Sequence, residues 1–512
     1  MIGKTNMTNI FRTRESYILP PFSLLDKPYT REEEEIEIKT TAEKIVDTLL
    51  SFGVDATLTD INRGPVYTRY ELSPGRKVRV REIVNLLDEI KLRVAAKEIS
   101  IKAPIPGKST IGIDVLNKTP SLLHLRELLE SREFRCYRGK LPFAVGKDIE
   151  GRNVIYDLVS TPHLLLCGAT GTGKSVFIHT VILSLLYTNS PKEVQFLMID
   201  SQMVELPVYK RIPHMTMPVI TDARKSSAAM NWAVAEMEKR LRLFSAAGVR
   251  DINGFNSFAS CASSLYEDGE SQYDPLPRLV IIINELADLM QAARSEVEEA
   301  IYRLTRLGRI VGIHLIISTQ RPSGNVITGL IKANMLSRIA FAVPSQTDSR
   351  MILNTAGAEK LIGRGDMLFF PRDYNEPVRI QGAFVSETEV SSVVNYIISH
   401  DTEDWFDNDS HRQVASQLEN IQLYGDHRTE SEEINTNEGR DEYFAEAGRF
   451  IIEKNKASIG LLQRVFKIGF NRAAKIMDQL AEAGVVSEES STRARQVLMT
   501  IVEFEQFLEE EL

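Results

Sequence analysis

Gly168-Ala169-Thr170-Gly171-Thr172-Gly173-Lys174-Ser175 satisfies the pattern G-x-x-x-x-G-K-[ST]. It sits between an apolar run, Leu164 to Cys167, and a helical run that begins at Val176. Glycines at this spacing let successive backbone N–H groups curl around a phosphate at a helix N-terminus. Lys174 adds a charge for the β- and γ-phosphates, and the Ser175 hydroxyl can ligate Mg²⁺. The chemistry expected of these eight residues is binding of a nucleoside triphosphate with Mg²⁺.

A phosphate loop needs a second strand that ends in acids, and Leu279 to Asp288 supplies one. Glu285 is placed to orient or deprotonate an attacking water. Asn284 stands where a carboxylate would support the Mg²⁺ shell. An amide oxygen can accept from a metal-bound water but brings no negative charge, so weak Mg²⁺ binding and slow hydrolysis are expected. Asp288 reads as a helix-face or cap residue. A third apolar strand, His314 to Thr319, runs into Gln320, which is either a γ-phosphate sensor or a turn residue before Pro322.

A different chemistry is written near the C-terminus. Lys454, Lys456, Arg464, Lys467, Arg472 and Lys475 fall in a stretch without a single acid, the footprint of a phosphate-facing surface. A helix from Ser458 to Phe466, a turn Lys467-Ile468-Gly469 and a second helix from Phe470 make a helix-turn-helix. Val485-Val486 with Gln496-Val497-Leu498 form a candidate wing. At about 100° per residue, Asn471, Lys475, Asp478 and Gln479 share one side of the second helix, and Ala473, Ile476, Met477 and Leu480 share the other. The first set is free to contact double-stranded DNA; a basic face in a protein-binding winged helix is the alternative.

These sites need elements to hold them. The 512 residues, 43% hydrophobic and 26% charged, are enough for several domains with a sizeable core. The net charge of -9 is concentrated: eleven Asp/Glu against three Arg lie in 401–440, which leaves the remainder close to neutral. That segment reads as a solvated acidic linker. Residues 1–40, with Pro20-Pro21 and the acidic run Glu32 to Glu35, read as a flexible tether, and 41–145 as a small α/β domain. Residues 146–400 alternate apolar runs with helical stretches, as expected of strands buried on both faces of a mostly parallel sheet. Residues 441–512 form the winged-helix domain. With no membrane-length apolar run and no secretory signal, a cytoplasmic location is expected. Cys136, Cys167 and Cys261, widely spaced and without nearby His, read as reduced core thiols.

The chain resembles the motor region of the FtsK/SpoIIIE DNA translocases. The likeness is carried by Gly168 to Ser175, Met198-Ile199-Asp200, Asn284 to Met290, Gly312-Ile313-His314, Ser318 to Ser323, Val326 to Asn334 and Gly365 to Leu368. It continues upstream through Gly64-Pro65-Val66 and downstream into the end domain, where Asn471 to Ala474 matches that family's γ domain. The resemblance implies a RecA-like P-loop ATPase between a small α/β domain and a winged helix. It also implies an ATP-driven double-stranded DNA translocase, a homo-hexameric ring acting in chromosome segregation at division. Recognition of short G-rich DNA motifs and Xer-type tyrosine recombinase partners belong to the same expectation. In such a ring Arg309 matches the arginine that completes a neighbour's site, with Arg306 and Arg321 as rivals and a solvated helix charge as the plain alternative. Four departures from the family matter: Asn284 replaces an Asp, Ser201-Gln202 replaces a Pro-Lys, Asp478 replaces a Glu in the reading helix, and the family's N-terminal membrane helices are not expected in this sequence. A related motor for protein substrates and a poorly hydrolysing DNA-binding scaffold are the competing functions.

Overall fold

Alternating apolar residues build one sheet and continuous apolar runs build another in the computed structural model. It describes residues 17–27, 34–105, 107–118, 122–263, 274–401, 443–454, 456–466, 470–487 and 496–510. In the first sheet, β1 (Ala56–Arg63), β2 (Tyr67–Pro74), β3 (Ile99–Lys102) and β4 (Ile111–Leu116) are antiparallel in the order β1-β2-β4-β3. The helix Glu34–Ser51 contributes Ala42, Ile45 and Leu49, one face at helical spacing, to a core shared with Tyr70, Leu72 and Ile113.

The larger sheet comprises β5 (Pro142–Asp148), β6 (Asn153–Asp157), β7 (His163–Cys167), β8 (Val194–Ile199), β9 (Arg278–Ile283), β10 (Ile313–Thr319), β11 (Ser337–Phe341), β12 (Asp366–Phe370) and β13 (Val378–Gly382). Their order is β6-β5-β13-β12-β11-β7-β10-β9-β8. The five strands from β11 to β8 are parallel, and their residues are buried almost throughout, because helices cover both faces. The expected mostly parallel sheet is therefore only half of it. The strands β12, β13, β5 and β6 are antiparallel, joined in pairs by connections too short for a crossover.

Two boundaries differ from the sequence expectation. The stretch 17–27 is not a loose tether: Leu25 is buried in the large core, Phe22 stacks on Tyr187, and the Asp26 N–H donates to Glu389 at 2.8 Å. Its apolar residues find a ready hydrophobic groove, which composition around Pro20-Pro21 does not reveal. Leu123, Leu125, Leu128, Phe134 and Phe143 likewise pack in the large core and not with the small sheet. Residues 1–16 and 402–440, the latter nearly all of the expected acidic linker, lie outside the described residues. Of the three thiols, only Cys167 is buried; Cys136 and Cys261 are exposed, so the core-thiol expectation fails for those two. Among the described residues no helix is long and apolar enough to cross a membrane.

The chain divides into two compact units, Met1–Gly425 and Asp426–Leu512. In the second, helices Phe444–Lys454, Ile459–Phe466, Phe470–Glu482 and Ile501–Glu510 enclose Ile451, Leu462, Ile476, Leu480 and Phe504. Gly448 is required there: a Cβ at that position would stand 2.2 Å from the Phe504 ring. Val486 and Val497 form an antiparallel bridge, the base of the expected wing.

Candidate functional site

The phosphate loop leaves the C-terminal end of β7, flanked by β10 and β11, where open α/β sheets place their ligands. It enters the helix Lys174–Leu186 through Gly173, whose φ of 110° is left-handed and whose missing side chain matters twice. A Cβ there would lie 2.5 Å from the Gly365 nitrogen, and as a helix cap glycine offers no side chain to the first amides. The Gly365 N–H donates to the Thr172 carbonyl at 2.8 Å, and the Ala169 N–H to Ala342 at 3.0 Å, so neighbouring loops hold the cradle open.

Lys174 is 4% exposed, its Nζ has no hydrogen-bond partner, and the nearest carboxylate oxygen, Glu285 Oε2, is 3.9 Å away. Burial pushes the Lys174 ammonium below its ordinary pKa, against the pull of Glu285, Glu205 and Asp200. A buried cation with one distant carboxylate and no hydrogen-bond partner is costly, and a triphosphate is the ligand that would relieve it.

Glu285 caps the helix Leu286–Val311. Its Oε1 accepts from the Ala287 N–H at 3.1 Å and from Thr319 Oγ1 at 2.5 Å, and its Oε2 accepts from the Gln320 N–H at 2.9 Å. Gln320 reaches the other way as well, its Oε1 accepting from Thr170 Oγ1 at 2.6 Å. The sensor position thus ties the phosphate loop to the candidate base.

Asn284 Nδ2 donates to Asp200 Oδ1 at 3.0 Å, while Asn284 Oδ1 is buried without a partner. Ser175 Oγ donates to Glu205, which follows β8 and whose Oε2 is also buried and unpartnered. Glu205 and Asp200 escaped the reading of the sequence as site residues; a glutamate six positions beyond a strand end carries no periodic signal. Asp288 is not at the phosphate loop but accepts from Ser201 Oγ at 2.6 Å. The residues predicted at Gly168 to Ser175, Asn284, Glu285 and Gln320 are therefore brought together. Arg309 is not: it is exposed in the last turn of the helix that Glu285 caps, beside the start of β10, where Ile313 pairs with Leu279 about 20 Å of strand away from Glu285.

In the second unit, Arg472, Lys475 and Asp478 are exposed and Ala473, Ile476, Met477 and Leu480 are buried, as the helical period requires. The Arg472 guanidinium lies over the Tyr443 ring, 4.8 Å from its centroid. Lys467 and its turn, and the side chain of Asn471, lie outside the described residues.

Comparison with known proteins accounts for all three parts in order. The FtsK alpha domain matches residues 19–117, the FtsK/SpoIIIE family 124–324 and the FtsK gamma domain 438–500. The chain belongs to the FtsK/SpoIIIE family. The DNA translocase FtsK of Clostridium acetobutylicum is 47% identical over 501 residues, which is 97% of this chain and 62% of that protein. The DNA translocase SftA of Bacillus subtilis is 45% identical over 492 residues, 95% of this chain and 48% of its own length. The chain thus spans less than two thirds of the length of these FtsK/SpoIIIE relatives.

Proposed function

We propose that this chain is an ATP-driven double-stranded DNA translocase that acts in chromosome segregation at cell division, guided by winged-helix recognition of short G-rich DNA motifs. The observation that carries the reading is the joining, in one chain, of a phosphate cradle whose buried Lys174 ammonium has no hydrogen-bond partner to a winged helix of the gamma type. ATP with Mg²⁺ supplies the phosphoryl group whose transfer to water releases the energy for movement.

The chain's own residues divide the work. Amides of the Gly168 to Ser175 loop and the Lys174 ammonium bind the phosphates, and the orphaned Asn284 and Glu205 oxygens suit Ser175 to a divalent cation. Glu285 Oε2, with a single N–H donor, keeps a lone pair free to take a proton from the attacking water. Gln320, bonded to both Thr170 and Glu285, transmits the state of the phosphates to that base. Arg309 acts across a homo-hexameric ring on the neighbour's nucleotide, since it cannot reach its own. In the second unit Lys467, Asn471, Arg472, Lys475 and Asp478 face the DNA. By resemblance, Xer-type tyrosine recombinases are partners and the motor works on the cytoplasmic side.

The test is ATP hydrolysis with and without duplex DNA, together with displacement of a triplex-forming strand. Hydrolysis stimulated by DNA and accompanied by displacement is expected. Asn284 favours one second reading, a nucleotide-dependent DNA scaffold, whose mark is DNA binding without either activity.

A further inference from the structure

The nucleotide's cation needs negative charge, and the position that would provide it is the neutral Asn284. Resting on the nucleotide-site reading above, we propose that Glu205 supplies this charge, so that the divalent cation is held between Ser175 and Glu205.

The other carboxylates nearby are spent. Asp200 is fully buried, with Oδ1 accepting from Asn284 Nδ2 at 3.0 Å and Oδ2 accepting from the Glu205 and Leu206 N–H groups at 3.0 Å each. It fixes the backbone that presents Glu205. Glu285 is held by Ala287, Thr319 and Gln320 as the candidate base, its open Oε2 lone pair kept for the attacking water, and Asp288 is bonded to Ser201. Glu205 alone among these four touches the Ser175 hydroxyl and keeps a buried oxygen without a partner.

Two further observations point to a ligand at the same place. Asn284 Oδ1 and Lys174 Nζ, on side chains that are each 4% exposed, have no hydrogen-bond partner. An acceptor and a donor left open beside one hydroxyl–carboxylate pair suit a cation with its water shell and an anionic phosphate. Glu205 reaches Ser175 from a different strand end, so one carboxylate offsets the charge absent at β9.

The experiment uses the full chain, a non-hydrolysable ATP analogue and Mn²⁺ read by electron paramagnetic resonance. Glu205→Gln should weaken Mn²⁺ binding to the nucleotide-bound protein by about 10- to 100-fold, the range seen when a metal site loses a supporting group. Affinity for the analogue in EDTA should stay unchanged. Adding Asn284→Asp to Glu205→Gln should restore most of the Mn²⁺ affinity, and Glu205→Ala should weaken it at least as much as Gln. Equal Mn²⁺ affinity in parent and Glu205→Gln, or an equal loss of analogue binding in EDTA, overturns the proposal while leaving the nucleotide site standing. A parent that binds no analogue at all overturns the nucleotide reading itself.

Discussion

Asn284 donates its amide to Asp200 across the top of the central sheet, 3.0 Å from nitrogen to oxygen, so the residue that lacks a charge is the partner of one that has it. Replacing it by Asp would set two carboxylates against each other in a buried place. Asn284→Asp is therefore expected to raise hydrolysis, by up to about 100-fold for one electrostatic support, and to lower the cation-free stability by about 1–3 kcal/mol. Thermal melts with and without Mg²⁺ check this: the cation should stabilise the variant more than the parent.

Lys174→Met should separate binding from stability. Loss of the ammonium should weaken ATP by about 2 kcal/mol, measured by titration calorimetry. Without nucleotide the melting temperature should change little, because the desolvation cost of the buried ammonium is lost together with its 3.9 Å attraction to Glu285, whose oxygens keep their donors from Ala287, Thr319 and Gln320.

Arg379, on β13, joins the small sheet to the large one. It donates to Asp366 at 2.7 and 3.0 Å and to the Tyr67 hydroxyl at 2.6 Å, and it lies over the Tyr67 ring. Arg379→Ala leaves the buried Asp366 without its countercharge and should cost about 3 kcal/mol. Because Asp366 follows Gly365, which holds the phosphate loop at Thr172, nucleotide affinity should fall as well, readable in the same calorimeter.

On the DNA side, Lys475→Ala should lower the slope of log affinity against log salt by about 1 while weakening all sequences alike. Deleting 441–512 should remove preference for G-rich sites and leave non-specific duplex binding. Fluorescence anisotropy with specific and scrambled duplexes measures both, and discrimination by the truncated chain would place recognition elsewhere.

Stability should also depend on acid. Burial pushes the imidazoles of His163, His179 and His214 down to about 4 and that of His314 down to about 3. His163 Nδ1 accepts from the Leu315 N–H at 3.2 Å, which holds its ring neutral. Between about pH 6.5 and 4 the unfolded chain binds protons that the folded one refuses, so stability falls as pH falls, by up to about 1.4 kcal/mol per pH unit per histidine. Urea unfolding across this window checks the sign, and His163→Gln should flatten the dependence.

Local chemistry made much of the protein legible from its sequence. The glycines, lysine and serine of 168–175 act through their own backbone and the helix they begin, and continuous apolar runs mark strands covered on both faces. The opposed faces of Phe470–Glu482 follow from the helical period alone. Glu205, Arg379 and the docking of Gly365 on Thr172 were decided only in three dimensions. Gly146 pairs with Gly382, and Leu25 enters a core built mostly by residues more than a hundred positions later. Such contacts leave no periodic trace, because each partner sits in a loop or strand whose local pattern is satisfied without it. What reaches Ser175 depends on where the ends of β8 and β9 lie side by side, and that is a property of the assembled sheet.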